Sequence, residues 1–255
     1  MLAFRSARAP SLQQRDNLCG PFCVARVLTE SGVANWDREP IDEDLIALRA
    51  GTVLPDSKAL VSVPPGAVSR TGYLHGLATA PVESSGTSPG SLVDVVRAAS
   101  RGALDCTPIR GRWTAEGVEG LVAAAPVLGA RLVANVRTGR LWGSRPPLNV
   151  LFDELAGRSV QDPAADWDVG HYAELEILLR GPERSLVMVR DSYPSLGWEG
   201  HHLQPPRVLA GALERGDGRE GGILAIAPNE RSEAIRALVA ELGLEIGAWN
   251  NGTRS

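Results

Sequence analysis

The sequence predicts an α+β fold, with helices gathered early in the chain and an antiparallel sheet after them. Three observations carry this reading. The first half holds short amphipathic runs, with apolar residues three and four apart, bounded by caps and glycines. The second half holds β-branched, alternating runs. Two of those runs, 173–180 and 185–191, flank Gly181-Pro182-Glu183 and read as a hairpin. With 255 residues, of which 44% are hydrophobic and 22% charged, the chain can bury a sizeable core.

Residues 20–31 read as the first helix: Val24, Val27 and Leu28 form its stripe and Ser31-Gly32 its stop. Asp42 to Gly51 is a second, short helix with acids at its start and glycine at its end. Residues 52–90 are rich in Pro, Gly, Ser and Thr and read as a mobile loop region with room for one short helix. A helix resumes over 91–99, its Ser91-Leu92-Val93-Asp94 start reading as a cap. Another opens at Thr114, a side chain suited to an N-cap. Strands are expected over 130–136, in the hairpin, and over 222–227. An amphipathic helix over 232–242, stopped by Gly243, closes the chain. No repeat or heptad interrupts this order, so residues 1–255 read as one domain.

Composition excludes several function classes. A net charge of −4 gives no electrostatic case for nucleic acid or anionic membrane. No apolar run reaches the length of a membrane span. The opening Met1 to Pro10 is too short and too interrupted by arginine for a secretory signal. The 3 cysteines, Cys19, Cys23 and Cys106, make no disulfide framework, and no second Cys/His pair is spaced to complete a zinc site. The expectation is a cytoplasmic, thiol-state protein without cofactor or metal.

The chemistry concentrates near the front, in Gln13-Gln14-Arg15-Asp16-Asn17-Leu18-Cys19-Gly20-Pro21. Proline is tolerated in a first helical turn, so Cys19 should sit at or just before a helix N-terminus. Free N–H groups and the helix dipole there favour the thiolate, the nucleophile of covalent catalysis. Gln13, six positions upstream, is close enough to return its amide to the same pocket. The bland alternative is that Cys19 is a small buried hydrophobe.

The hairpin carries the complement. Gly170-His171-Tyr172 begins it and Asp191-Ser192-Tyr193-Pro194 ends it. The start of one antiparallel strand lies beside the end of the next, so His171 and Asp191 should meet at one end of the sheet. A carboxylate there fixes the tautomer of the imidazole and stabilises its charged form. Nucleophile, base, orienter and oxyanion donor make up the set needed for acyl chemistry.

With Gln-x5-Cys-Gly-Pro early, and Gly-His-Tyr and Asp-Ser-Tyr-Pro late, the chain resembles the papain-like cysteine peptidases, closest to the C39-like peptidases that process bacteriocin leaders. The resemblance implies Cys19 as nucleophile, His171 as general base and acid, and Asp191 as orienter. It implies Gln13, with the Cys19 N–H, as the oxyanion hole; Gln14 is the competing assignment and spacing favours Gln13. It departs at Leu18, where the family usually has Asp, and in its long Cys-to-His separation, which leaves about 37–165 as an elaborated helical and loop region. The implied function is a cysteine-nucleophile hydrolase acting on a peptide or peptide-like amide. An acyl or aminoacyl transferase using an acyl-carrier substrate is the alternative on the same scaffold, and a silent peptide- or carrier-binding module the alternative outside enzymes. Oligomeric state is left open.

Other polar residues carry less. Asp166 and Asp168 read as a solvated loop rather than a site for a cationic group. His201 and His202, adjacent on an extended chain, point to opposite faces and should not share a metal. Trp198 reads as a rim beside the site, and His75 as incidental.

Overall fold

The computed structural model describes residues 13–56 and 62–253. The Met1 to Pro10 opening lies outside the described residues.

In chain order the elements are α1 (Cys19–Glu30), the short antiparallel pair β1 (Asn35–Trp36) and β2 (Glu39–Pro40), and α2 (Glu43–Arg49). Then come β3 (Val53–Pro55) and its parallel partner β4 (Ala78–Ala80), α3 (Pro89–Ala99), β5 (Leu104–Arg110) and α4 (Ala115–Leu128). Next are β6 (Arg131–Arg137), α5 (Leu148–Leu155), and the hairpin of β7 (Gly170–Arg180) and β8 (Ser185–Arg190). The chain finishes with β9 (His201–Gln204), α6 (Pro206–Glu214), β10 (Gly222–Pro228), α7 (Ser232–Glu241) and β11 (Glu245–Ile246). A seven-stranded antiparallel sheet in the order β11-β5-β10-β6-β7-β8-β9 is the centre of the molecule.

Both faces of this sheet are covered. Leu132, Ala134 and Val136 of β6 and Ile223, Ala225 and Ala227 of β10 pack with residues of α4, α6 and α7. The alternate residues Val133, Leu224 and Ile226 pack with α1, α2 and α3. Side chains of a strand alternate between faces, so a strand buried on both sides needs apolar residues at nearly every position. That is why 130–136 and 222–227 read as strands.

Helix ends follow their caps. The Asp42 carboxylate accepts from the Leu45 N–H at 2.8 Å, and the Thr114 hydroxyl accepts from the Gly117 N–H at 3.0 Å. For α3 the cap is Ser88 rather than Ser91: the Ser88 hydroxyl accepts from the Ser91 N–H at 3.1 Å, and Pro89 opens the helix.

The structure corrects the simple order of helices first and sheet second. β5 lies between α3 and α4, inside the expected helical region, and pairs with β10 near the middle of the sheet. Asp105 and Pro108 interrupt its apolar pattern, which hides it from periodicity. The 37–165 stretch also contributes β6 and much of both cores. It is therefore part of the framework rather than an addition to it. The 52–90 stretch carries β3, β4 and a 3-10 turn over Val82–Ser84, so it is not loop alone. No helix among the described residues is long and apolar enough to cross a membrane.

Candidate active site

Cys19 is the first residue of α1, and its neighbours fix the start of that helix against the sheet. Leu18 is fully buried and supplies no side-chain cap. A Cβ on Gly20 would stand 3.1 Å from both Leu92 and Tyr172, so glycine allows this close approach. Arg26, further along α1, donates to the buried Glu174 and reaches the carbonyls of Arg190 and Asp191 at 3.3 and 3.4 Å. Upstream, the Gln14 N–H donates to the Ser192 carbonyl at 3.1 Å, and the Ser192 hydroxyl donates to the Gln14 side chain. The helix and the segment before it are thus both laced to the open end of the hairpin.

Hairpin register decides whether His171 and Asp191 can meet. From the turn, Arg180 pairs with Ser185 and Ile177 with Met188. The register then shifts by one, so that Leu175 pairs with Val189 and Glu174 with Arg190. Glu176 is the extra residue, a β-bulge. Continuing the shifted register sets Ala173 opposite Asp191, which puts His171 on the same face as Asp191, one diagonal step away. Without the bulge Asp191 would oppose Glu174, and His171 would project from the other face.

The two side chains are bonded. His171 Nε2 lies 3.1 and 3.2 Å from the two Asp191 carboxylate oxygens, and both residues are buried. This leaves Nδ1 as the ring nitrogen not held by Asp191, and Cys19 lines the same cleft as His171. Burial alone would disfavour every charge here. For Cys19 the His171 hydrogen bond and charge, aided by the backbone N–H groups of Tyr172 and Gly20, outweigh burial and pull the thiol below its ordinary range. For His171 burial is likewise outweighed, by Asp191 and then by Cys19, and the ring is held up at about 10. Asp191 resists burial through His171 and His202 and stays well below the usual carboxylate range. Both shifts run in the direction of a thiolate beside an imidazolium.

The other two thiols lack this environment. Cys23 donates to the Tyr172 carbonyl at 3.6 Å, and burial pushes its thiol well up. Burial also pushes Cys106 up.

The thiol opens into a cleft of about 330 Å³ whose lining includes Gln14, Asn17, Cys19, Trp167, His171 and Tyr193. Gln13 is not in that lining: its amide donates to the Val68 carbonyl instead. The structure thus corrects the spacing argument, since Gln14 is the buried glutamine in the cleft. Asn17, with a positive φ of 63°, lines the cleft just before α1. Its side-chain nitrogen is buried and has no hydrogen-bond partner among the described residues. Trp167 packs edge-on against His171 and Tyr193, with centroids 5.2 and 5.5 Å apart, and covers the imidazole.

Of these, Asn17 and Trp167 carry no motif, and Tyr193 is visible only as part of Asp-Ser-Tyr-Pro. His202 also escapes sequence reasoning. It is buried, with Nε2 3.9 Å from Asp191, while Gln204 donates to its Nδ1 at 3.0 Å. His201 instead faces Glu176 at 3.7 Å, so the two rings do diverge. Asp166 accepts from the Ser144 N–H at 2.7 Å, and Asp168 pairs with Arg137 at the cleft wall; neither is simply solvated. No cluster of three or more His, Cys, Asp or Glu suited to a metal occurs among the described residues.

These features belong to a chain with a half-buried thiol and a buried imidazole and carboxylate at the end of a two-faced antiparallel sheet. A family model matches residues 2–250, and the chain belongs to that family, described as a family of unknown function (DUF6885). No curated protein and no solved structure matches the chain.

Proposed function

We propose that this protein is a papain-like cysteine-nucleophile acyl hydrolase that cleaves a peptide or peptide-like amide. One observation carries the reading: Cys19 and His171, far apart in sequence, share one cleft, Asp191 holds the imidazole, and the electrostatics there shift toward thiolate and imidazolium.

In this reading the Cys19 thiolate adds to the substrate carbonyl carbon. The developing oxyanion takes hydrogen bonds from the Cys19 N–H and from the Asn17 amide, whose nitrogen makes no full hydrogen bond among the described residues although the Tyr73 hydroxyl lies near it. Gln14 positions this corner, because its own amide is engaged by Ser192 and by the Arg15 carbonyl at 3.1 Å. His171 gives its proton to the leaving amine and the C–N bond breaks, leaving an acyl-Cys19 thioester. Water then enters, His171 takes its proton, and hydrolysis restores the thiolate and releases the acid. Asp191 holds the imidazole in place throughout.

The test uses p-nitrophenyl esters of N-acylated amino acids, followed by intact mass. The wild-type chain should release a burst of nitrophenol and gain one acyl group on Cys19, and Cys19→Ala should do neither. Equal acylation of the Cys19→Ala variant would refute the proposal.

A further inference from the structure

We infer that the cleft wall beyond Gly170 is a carboxylate-binding subsite built from Arg215, Arg219 and Arg137, and that the acyl donor carries an acidic group there. This rests on the proposed thiol chemistry and names the substrate class for it. All three arginines line the same cleft as Cys19 and His171.

Arg215 is the anchor. It follows α6 with φ 58°, a left-handed conformation unfavourable for a residue with a side chain, and it is only 2% exposed. Its guanidinium is fixed from behind. Nε and one terminal nitrogen donate to Asp217 at 3.2 and 2.9 Å, and the other terminal nitrogen donates to Asn135 at 3.3 Å. A guanidinium has five N–H groups, so two remain. Gly170, the residue before His171, lies against that edge, and a side chain there would block it: a Cβ would stand 2.8 and 2.9 Å from the two terminal nitrogens.

Charge is unevenly shared around it. Asp217 serves Arg137 as well, at 3.5 Å, and Asp168 pairs with Arg137. Arg219 donates its side chain to the Glu83 backbone carbonyl at 2.8 Å and forms no ion pair with a carboxylate among the described residues. Three guanidinium groups thus divide two paired carboxylates. The Glu83 carboxylate, exposed at the rim of the same cleft, opposes an anion and gives the test a second sign. A preorganised guanidinium edge matches a carboxylate through paired N–H donors, whereas an ammonium group would meet that edge with like charge and no acceptor.

The experiment uses N-acetyl dipeptide vinyl sulfones carrying Glu, Gln or Lys at either position. The Cys19 sulfur adds to the vinyl carbon, the carbon next to the sulfone takes a proton, and nothing leaves. Labelling rates are read by intact mass. The Glu probe should label roughly tenfold faster than its Gln twin at one of the two positions, with Lys slowest. That ratio should shrink toward one at high salt and in Arg219→Gln or Arg137→Gln, and should grow in Glu83→Gln. Each ratio is internal to one protein sample, so partial misfolding of a variant does not mimic the effect. Labelling without a Glu preference, a preference for Lys, or a ratio unmoved by both arginine variants overturns the subsite alone. Failure of every probe to label Cys19 overturns the thiol chemistry and the subsite with it.

Discussion

At the scale of residues, the account turns on what surrounds one sulfur. Asn17 offers the sharpest single-residue test, because the oxyanion exists only in acyl chemistry. Asn17→Ala should slow acylation by an activated ester roughly 10²-fold or more, the usual loss for one oxyanion donor. Alkylation of Cys19 by iodoacetamide passes through no oxyanion and should change little. Parallel loss of both rates would mean that Asn17 only supports the fold. Cys19, His171 and Asp191 could be found from sequence because each sits in a short motif at the end of a periodic segment. Asn17 could not: its proposed role rests on a left-handed backbone and an unsatisfied amide nitrogen, and neither leaves a pattern in the sequence. Gln13 misled for a related reason. Spacing counts residues along the chain, but the bonds of Gln14 to Ser192 and of Gln13 to Val68 decide which glutamine lines the cleft.

At the scale of elements, the β7–β8 hairpin is the part that must be right. Its strands and turn are readable from alternation and from Gly181-Pro182, yet the Glu176 bulge is not, since a bulge residue looks like any strand residue. Deleting Glu176 should move His171 to the other face while both strands persist. Circular dichroism should then retain the sheet, and Cys19 should lose its fast alkylation. Retained fast alkylation would contradict the register argument. The start of α1 makes a second prediction at this scale. Gly20→Ala must displace Leu92 or Tyr172 by a few tenths of an ångström, and overpacking of this kind costs about 1–3 kcal/mol. A urea midpoint lowered by that amount would show it; an unchanged midpoint would mean that the helix start yields freely. Elements without clean periodicity, such as β5 with its Asp105 and Pro108, were beyond reach of the sequence alone.

For the whole molecule, the ion pair links stability to pH. Unfolded histidine and cysteine titrate near about 6.5 and 8.5. Between those values the unfolded pair holds one proton, and a folded imidazolium–thiolate would hold one as well, so the proposed charge assignment makes the stability contribution flat there. Above about 8.5 the unfolded pair holds none while His171 keeps its proton up to about 10, so the contribution is lost as pH rises through that range. Denaturation midpoints of wild type relative to His171→Gln should show a plateau near neutrality and a decline above it. A difference that grows with alkaline pH would contradict the charge assignment. The two-faced sheet is the frame that makes this possible. It buries His171 and Asp191 at the open end of the hairpin while α1 and the segment before it are held by Gln14 to Ser192 and by Arg26 to Glu174.

The most direct measurement of the central claim is the pH dependence of iodoacetamide alkylation, resolved by cysteine, in wild type and His171→Gln. The account predicts that Cys19 alone reacts fast, that its rate persists well below the ordinary thiol range, and that His171→Gln moves the profile back up into that range. Uniform slow alkylation of Cys19, Cys23 and Cys106, or a Cys19 profile indifferent to His171, would contradict it.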